Sequence, residues 1–385
     1  MAEKVKYVGN TVRNEKIKQN FKRSLSFALA LAIIIIAALV GLKIAEKTAV
    51  GAPDSEKDSG DYPVSFSTND IKDVKVMGNN LLVLTKKFVT ALDKSGDILW
   101  EHSFTYGDSA VFTSDRYAVV FDRLSNKYTV IDKDGKADER KTDISGQIFN
   151  AKVTDKGEVM LALKSDSSSS LVALIDKKGE DKFIWSCTQE YAVDLALSDD
   201  GKTLFCGSIG ASGGEMYTKV YALRVKDGEE KSYTLPSSSC ISINTVSSDR
   251  FNVLTTDGLY VFDSSKDEML INNVPFNSKL IYWASDSDGN IAALTDNTGN
   301  ISENTLRVFD AKAEEKYSLS IEDSIEDIFV KGEEALLLYG DSVVAVKDGE
   351  IDRKLFFRNK AVGVVKASRQ IYCYSMGGVE KAKVQ

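Results

Sequence analysis

The sequence predicts an all-β protein, an eight-bladed β-propeller preceded by one transmembrane α-helix, with seven blades as the alternative count. Two observations carry this prediction. Segments in which two apolar runs flank a turn of Asp, Lys and Gly recur about every 37 to 49 residues, and a period near 40 residues with four strands per unit is typical of propeller blades. Ahead of them lies a run of 19 residues without a charged side chain, long enough to cross a bilayer.

Composition supports a folded, water-facing body and excludes several function classes. Of the 385 residues, 43% are hydrophobic, 28% are charged and only 4 are Pro, which does not fit a disordered chain. The single histidine, His102, excludes any site that needs two imidazoles. Residues 1–46 carry a net charge of +5 and the remainder carries −13. An acidic body argues against nucleic acid as a partner, because such binding depends on cationic groups that neutralise phosphates.

The uncharged run, residues 24–42 (SLSFALALAIIIIAALVGL), is predicted to span a membrane. As a helix it is roughly 28 Å long, and it has no polar face to place it at a domain surface. A buried core helix and a signal peptide cut near residues 49–51 are the alternatives. An uncleaved anchor is favoured because the apolar run exceeds the about 7 to 15 residues of a signal peptide. The membrane residues are predicted to include Leu25, Phe27, Leu31, Ile35, Leu39 and Leu42.

The charges that flank this span predict its orientation and the division of the chain. Basic residues precede it and an acidic stretch follows it, so the positive-inside rule places the N-terminus in the cytoplasm. We expect a basic cytoplasmic tail at 1–23, a signal-anchor helix at 24–46, a flexible tether at 47–61 and an extracytoplasmic propeller at 62–385. The predicted location is therefore the cell membrane, with a single pass.

Three hairpins show the repeat most clearly: residues 89–100 (VTALDKSGDILW), 128–136 (YTVIDKDGK) and 171–180 (LVALIDKKGE). A short Asp and Gly turn between two apolar runs is a hairpin signal. We label the four strands of each unit A to D from the propeller axis outward. These hairpins then join strands C and D.

The last unit predicts how the ring closes. Residues 361–366, 370–374 and 379–384 supply strands A, B and C, and no D strand follows. Residues 62–66 (YPVSF), an apolar run ahead of the first A strand, can supply that strand. Counting in this way gives eight blades, with the two ends of the propeller sharing one blade and no free sheet end.

The segment Ala91-Leu-Asp93-Lys-Ser-Gly96-Asp-Ile-Leu-Trp100 resembles the Ala-x-Asp...Gly-x-x-x-Trp repeat of quinoprotein-type propellers. That superfamily includes quinone-cofactor dehydrogenases and non-enzymatic envelope scaffolds of the outer-membrane-assembly kind. The basic N-terminus, the single span and the degenerate propeller together also resemble a domain-of-unknown-function family of membrane-anchored proteins from Gram-positive anaerobes. This resemblance implies the fold and the envelope setting, and it implies no particular activity.

The sequence contains no recognisable catalytic, cofactor-binding or metal-binding constellation. No adjacent pair of cysteines is present, so we expect no quinone cofactor. Carboxylates near the predicted inner strands are expected to be solvated rim groups rather than metal ligands: Asp108, Asp194, Glu326 and Asp327. Residues 286–289 (DSDG) resemble the opening of a calcium loop, but they lie where a hairpin turn is needed and are predicted to be a turn.

Single residues with chemical potential are given structural roles. His102 is predicted to lie on an outer strand, away from the axis. The three tryptophans, Trp100, Trp185 and Trp283, are predicted to pack between blades. The four cysteines have irregular spacing within apolar runs, so we expect buried free thiols: Cys187, Cys206, Cys240 and Cys373.

The B–C and D–A loops vary most between repeats, and loops of this kind commonly carry function. They offer a mixture of aromatic, Met, Arg and amide groups typical of a protein-contact surface: Arg123, Met216, Tyr217, Phe276, Asn297 and Asn300. The sequence therefore favours a non-enzymatic scaffold that binds an envelope protein or peptide. The alternative is a small-molecule sensor or metal-dependent hydrolase that uses the axial channel.

Overall fold

The computed structural model describes residues 62–142, 144, 146–296, 304–322 and 324–384. These residues form eight four-stranded antiparallel sheets, arranged as the blades of a propeller. The predicted eight-bladed all-β fold is confirmed. The predicted transmembrane segment lies outside the described residues, and within them no helix is long and apolar enough to cross a membrane.

Blades 1 to 4 follow one another along the chain, each with its strands in the order A, B, C, D. Blade 1 consists of β2 (Asp73–Met77), β3 (Asn80–Leu84), β4 (Phe88–Leu92) and β5 (Ile98–Ser103). Blade 2 consists of β6 (Ser109–Thr113), β7 (Tyr117–Asp122), β8 (Lys127–Asp132) and β9 (Ala137–Lys141). Blade 3 consists of β10 (Ile148–Val153), β11 (Val159–Lys164), β12 (Ser170–Ile175) and β13 (Asp181–Cys187). Blade 4 consists of β14 (Tyr191–Leu197), β15 (Thr203–Ser212), β16 (Glu215–Arg224) and β17 (Glu230–Pro236).

The same order holds in blades 5 to 7, and blade 8 combines both ends of the described chain. Blade 5 consists of β18 (Cys240–Thr245), β19 (Arg250–Thr255), β20 (Gly258–Asp263) and β21 (Leu270–Pro275). Blade 6 consists of β22 (Lys279–Ser285), β23 (Ile291–Asp296), β24 (Asn304–Phe309) and β25 (Glu315–Ile321). Blade 7 consists of β26 (Asp327–Lys331), β27 (Glu334–Leu338), β28 (Ser342–Lys347) and β29 (Glu350–Phe356). Blade 8 consists of β30 (Gly363–Ala367), β31 (Gln370–Ser375), β32 (Gly378–Lys381) and, as its outer strand, β1 (Val64–Ser65).

The ring closes as the sequence predicts. Strand β1 pairs antiparallel with β32, with Val64 opposite Val379 and Ser65 opposite Gly378. The inner strand β2 contacts β30, so the first blade also packs on the last. A propeller closed in this way holds its two chain ends in one sheet.

Hydrophobic packing between blades explains why the B and C strands are apolar along their whole length. Eight clusters of buried side chains lie between neighbouring blades, one at each interface. A sheet covered on both faces needs apolar residues at consecutive positions, as in β11, where five residues in a row are buried. The outer strands alternate or are exposed, as in β29.

The Asp of the repeated hairpin turn has a structural role. In the turn between β12 and β13, Oδ1 of Asp176 accepts the backbone N–H groups of Lys178 and Glu180, each at 2.8 Å. The amide of Glu180, followed by that of Lys178, lowers the pKa of Asp176 below its ordinary value. Asp93, Asp132, Asp286 and Asp310 make the same pair of bonds in their own turns. The repeat in the sequence therefore marks side-chain-capped turns, and residues 286–289 form a turn as predicted.

Candidate protein-binding face

The antiparallel order of the strands gives the propeller two different faces. All D–A connections and B–C turns lie on one face, which we call the loop face, and all A–B and C–D turns lie on the other, the turn face. Contacts agree with this division: the Ile71 amide donates to the Met376 carbonyl, and the Phe276 amide donates to the Asp257 carbonyl. At the other face, the Tyr62 hydroxyl donates to the Asp93 carbonyl.

Large exposed apolar side chains are gathered on the loop face. Five of them are between 50% and 59% exposed: Leu124, Tyr191, Met216, Val362 and Met376. Each lies in a B–C turn, in a D–A connection or within the first two residues of a strand beside one. They lie in or beside blades 2, 4 and 8.

The turn face has a different character. Within the described ranges, none of the A–B or C–D turns carries an exposed large hydrophobic side chain. Leu99, Ile271 and Ile351 are the second residues of outer strands that follow C–D turns, and Ile184 lies within an outer strand. Further exposed apolar residues are Phe149, Ile281 and Trp283 on inner strands and Val384 after β32. Single exposed apolar residues are common on protein surfaces and need no partner. The two faces therefore differ in the turns and connections themselves, where the loop face carries Leu124, Val362 and Met376 and the described turns of the turn face carry none.

Blade 4 has the longest B–C hairpin on the loop face. Its B and C strands, β15 and β16, have 10 residues each, whereas the B and C strands of the other blades have 4 to 6. The ring of Tyr217 lies across Gly210, where an added Cβ would come within 2.3 Å of the ring. The Tyr217 hydroxyl donates to the carboxylate of Glu190 at 3.0 Å. The hairpin is thereby fixed to the D–A connection below it.

Glu190 is a buried carboxylate, 2% exposed, that joins the hairpin to the neighbouring blade. Its oxygens accept hydrogen bonds from the Tyr221 hydroxyl at 2.7 Å and from the Cys187 thiol at 3.5 Å. Burial raises the pKa of Cys187 to about 11, so the thiol stays protonated. Three donors from two strands, β13 and β16, therefore surround this buried carboxylate.

A charged group occupies the loop face at blades 1 and 2. Asp108 accepts a hydrogen bond from Lys72 at 2.6 Å and lies 3.8 Å from Arg123. The hydrogen bond from Lys72 lowers the pKa of Asp108. Blade 8 carries a cavity of about 400 Å³, lined in part by Asn69 and Met376. The loop face thus offers apolar, charged and concave regions.

Two of the carboxylates considered as metal ligands, Asp194 and Asp327, lie on the inner strands β14 and β26. Within the part of the chain that the structure describes, no group of three or more His, Cys, Asp or Glu side chains is arranged to hold a metal ion. Asp194 was expected to be solvated, but it is 4% exposed and ion-paired with Lys152 at 2.7 Å. Asp327 accepts the amide of Val364 at 3.0 Å.

The structure places the remaining residues of interest as follows. His102 lies on the outer strand β5 and its Nε2 is 2.7 Å from the carbonyl of Gly135 in blade 2. Trp100 packs over the same turn, and Trp185 packs against Tyr221 in the next blade. The prediction for Trp283 is wrong: it is 39% exposed on an inner strand rather than packed between blades. The four cysteines are free and buried, as predicted.

The predicted partner-binding residues divide into three groups. Arg123 and Met216 are exposed on the loop face, and Tyr217 is half-buried there. Phe276 was expected on the surface, but it is 7% exposed because its ring packs on Phe309 between blades 5 and 6. Asn297 and Asn300 lie outside the described residues.

Sequence reasoning missed the exposed residues Leu124, Tyr191, Val362 and Met376. Each is one apolar residue beside a turn, and such a residue has the same appearance in sequence as a strand end that packs into the core. Phe276 is in that position and is buried. The only signal was the position of each residue in the repeat, at the end of the strand that meets the loop face.

The eight sheets and the closure of the ring define an eight-bladed β-propeller. By sequence, the chain belongs to DUF5711, a family of unknown function whose model matches residues 58–383. The predicted membership in a family of unknown function is confirmed. No curated protein matches the chain.

Solved structures with the same fold come from distant proteins. BamB from Moraxella catarrhalis superimposes with a TM-score of 0.52 at 14% identity, over 84% of this chain and 96% of that one. A chain of the hydrazine synthase of Kuenenia stuttgartiensis superimposes with a TM-score of 0.51 at 12% identity, over 77% and 98% respectively. At such low identity, these similarities establish the fold alone.

Proposed function

We propose that this protein is a non-enzymatic scaffold that binds a protein or peptide on its loop face. The observation that supports it is the difference between the turns of the two faces: Leu124, Val362 and Met376 are exposed in turns and connections of the loop face, and no large apolar side chain is exposed in the described turns of the turn face. An apolar surface with polar and charged neighbours is the composition of a protein-contact site. Tyr191 and Met376 are two proposed contact residues of this site.

We further propose that the scaffold works in the cell envelope, held at the outer side of the membrane by the single-pass anchor at residues 24–46. The described chain enters the propeller at Tyr62, whose hydroxyl contacts the turn face.

Photocrosslinking in intact cells tests the binding face. A photoreactive amino acid is placed at Tyr191 or Met376, and, as matched controls of similar exposure, at Ile184 or Ile351 on outer strands. We expect discrete adducts of the same mass, containing the same protein, from the two loop-face positions only. Adducts from the outer-strand positions alone, or from neither pair, would refute the proposal.

The topology has its own test. Protease added to intact cells without an outer barrier should remove the propeller and leave the basic tail. A cytoplasmic protein serves as the control for cell integrity. Full protection of the propeller in cells whose cytoplasmic control is also intact would contradict an extracytoplasmic location.

A further inference from the structure

The hairpin of blade 4 extends beyond both strands that flank it. On its inner side, β14 begins at Tyr191, opposite Ile209, so Gly210, Ala211 and Ser212 of β15 lie past its end. On its outer side, β17 ends at Pro236, opposite Tyr217. Three residues of β15 therefore have a strand neighbour on one side only, over a length of about 10 Å.

The register of the hairpin identifies which backbone groups this edge presents. Ser212 and Glu215 flank a two-residue turn of Gly213 and Gly214, whose φ angles of 63° and 91° are those of a type I′ turn. In such a hairpin, the pair beside the turn exchanges backbone hydrogen bonds. Along a strand these groups alternate in direction, so the N–H and C=O of Ala211 point away from β16, toward the loop-face side of β14.

This edge lacks the charged residues and prolines by which proteins commonly prevent strand addition. Residues 208–214 (SIGASGG) contain no charge and no proline, whereas lysines, prolines or bulges normally protect an exposed strand edge. Ala211 and Ser212 are exposed, and Tyr191 lies at the inner end of the edge with 57% of its surface exposed. The edge is also held in position, because Tyr217 fixes the hairpin to Glu190.

We propose that the inner edge of the blade 4 hairpin binds an extended segment of a partner protein as an added β-strand. The partner segment would pair with Ala211, lie in line with β14, and place an apolar side chain next to Tyr191. Backbone hydrogen bonds supply binding in this mode, and flanking side chains supply selectivity. The inference rests on the proposed function and specifies its mode of recognition.

A second copy of this chain is a weaker occupant. Pairing of two hairpins edge to edge would involve only three residues from each copy. A stable interface involves about 20–30 residues a side and buries about 800 Å² per partner. A separate extended segment can pair at the edge and also contact the exposed side chain of Met216, which lies opposite Ala211 in the hairpin.

The test uses the full-length chain in lipid nanodiscs and a displayed library of linear peptides of about twelve residues. Peptides enriched on the protein are synthesised, and their affinities are measured for the wild type and for Ala211→Pro, Ala211→Lys and Ala211→Ser. Proline removes the Ala211 N–H but is tolerated at a strand edge. Lysine places a charge at the edge, which opposes the addition of a strand. Serine keeps the N–H and is the matched control. We expect at least a tenfold loss with proline and lysine, and affinity within about twofold with serine, at unchanged melting temperature.

A backbone scan of the selected peptide separates strand addition from side-chain contact. Single N-methyl groups at successive positions should weaken binding at alternate positions only, because every second amide faces the protein edge. If Ala211→Pro has no effect while Tyr191→Ser weakens binding, strand addition is overturned and the loop face remains the binding site. A library without binders, or binders insensitive to both changes, overturns strand addition, and the crosslinking result then decides the proposed function separately.

Discussion

Lys152 and Asp194 form an ion pair that joins the inner strands of blades 3 and 4. The Lys152 Nζ lies 2.7 Å from Oδ2 of Asp194, and it also donates to the carbonyl of Ile243 in blade 5 at 3.2 Å. Asp194 further accepts the Asn150 side-chain amide and the Ile243 backbone amide. A single buried carboxylate thus links three consecutive blades near the axis.

Loss of Lys152 should destabilise the propeller strongly. Lys152→Met leaves the charge of Asp194 buried without its cation, and removal of one partner from a buried pair costs about 3–5 kcal/mol. Chemical denaturation of the full-length protein measures the change. The double variant Lys152→Met, Asp194→Asn should recover part of the loss, since no unpaired charge remains. Equal stability of the single variant and the wild type would show that the pair has no structural role.

Removal of the Asp327 charge should raise the melting temperature of the protein at neutral pH. Burial raises the pKa of Asp327 above its ordinary value, so the folded state holds its proton more tightly than the unfolded state. The associated stability is present below the unfolded pKa and is lost as pH rises through the folded pKa. Asp327→Asn is therefore expected to melt at a higher temperature than the wild type at neutral pH. The difference should disappear at about pH 4 and below.

Asp108 supplies a control of opposite sign for that measurement. The hydrogen bond from Lys72 lowers the pKa of Asp108, so its contribution is present above the unfolded pKa and is lost as pH falls through the folded pKa. Asp108→Asn should lower the melting temperature at neutral pH and have no effect in acid. Shifts of the same sign for both variants would contradict this assignment.

Loss of the repeated turn aspartate should lower the free energy of unfolding more than loss of a neighbouring side chain in the same turn. Asp176→Ala removes the acceptor for the amides of Lys178 and Glu180, and we expect a loss of about 1–2 kcal/mol in the free energy of unfolding. Asp176→Asn keeps an acceptor oxygen and should retain most of the stability. Lys178→Ala, at an exposed position of the same turn, is the matched control with little expected effect. Denaturant melts of the three variants distinguish these outcomes.

Most of the fold could be predicted because the repeat records local chemistry. The hairpin predicted at residues 89–100 is formed by β4 and β5, since a capped turn joins the two strands directly. The closing strand was also predictable, because the last unit lacks a fourth strand and an unused apolar run precedes the first. These features depend on turn residues and on apolar runs, both of which are visible in one sequence.

The candidate site was harder to predict because exposure depends on packing between blades. Phe276 and Tyr191 both lie beside loop-face connections, yet one packs on Phe309 and the other is exposed. Met216 and Tyr217 were expected in a variable loop, since the neighbouring Gly and Ser are poor strand formers, but both lie in the hairpin of β15 and β16. The ring of Tyr217 covers Gly210 and compensates for its missing side chain, a tertiary contact that the local sequence does not show.

Closure of the ring gives the last prediction. Tyr62 is 8% exposed, its ring centroid lies 5.0 Å from that of Tyr372, and its hydroxyl donates to the Asp93 carbonyl in blade 1. Tyr62→Ala should therefore destabilise the propeller by about 3–5 kcal/mol, the usual cost of truncating a large buried ring. Tyr62→Phe keeps the ring and should lose only the hydrogen bond.

Deletion of residues 62–66 tests the same closure more severely and needs a matched deletion as its control. Without this segment, β32 loses its outer partner, and the packing of blade 8 on blade 1 loses Tyr62 and Phe66. Deletion of five residues from the tether, 52–56, removes the same length of chain without any part of β1. We expect the first deletion to lower the unfolding midpoint in denaturant far more than the second. Equal midpoints would mean that the pairing of β1 with β32 contributes nothing to holding the ring closed.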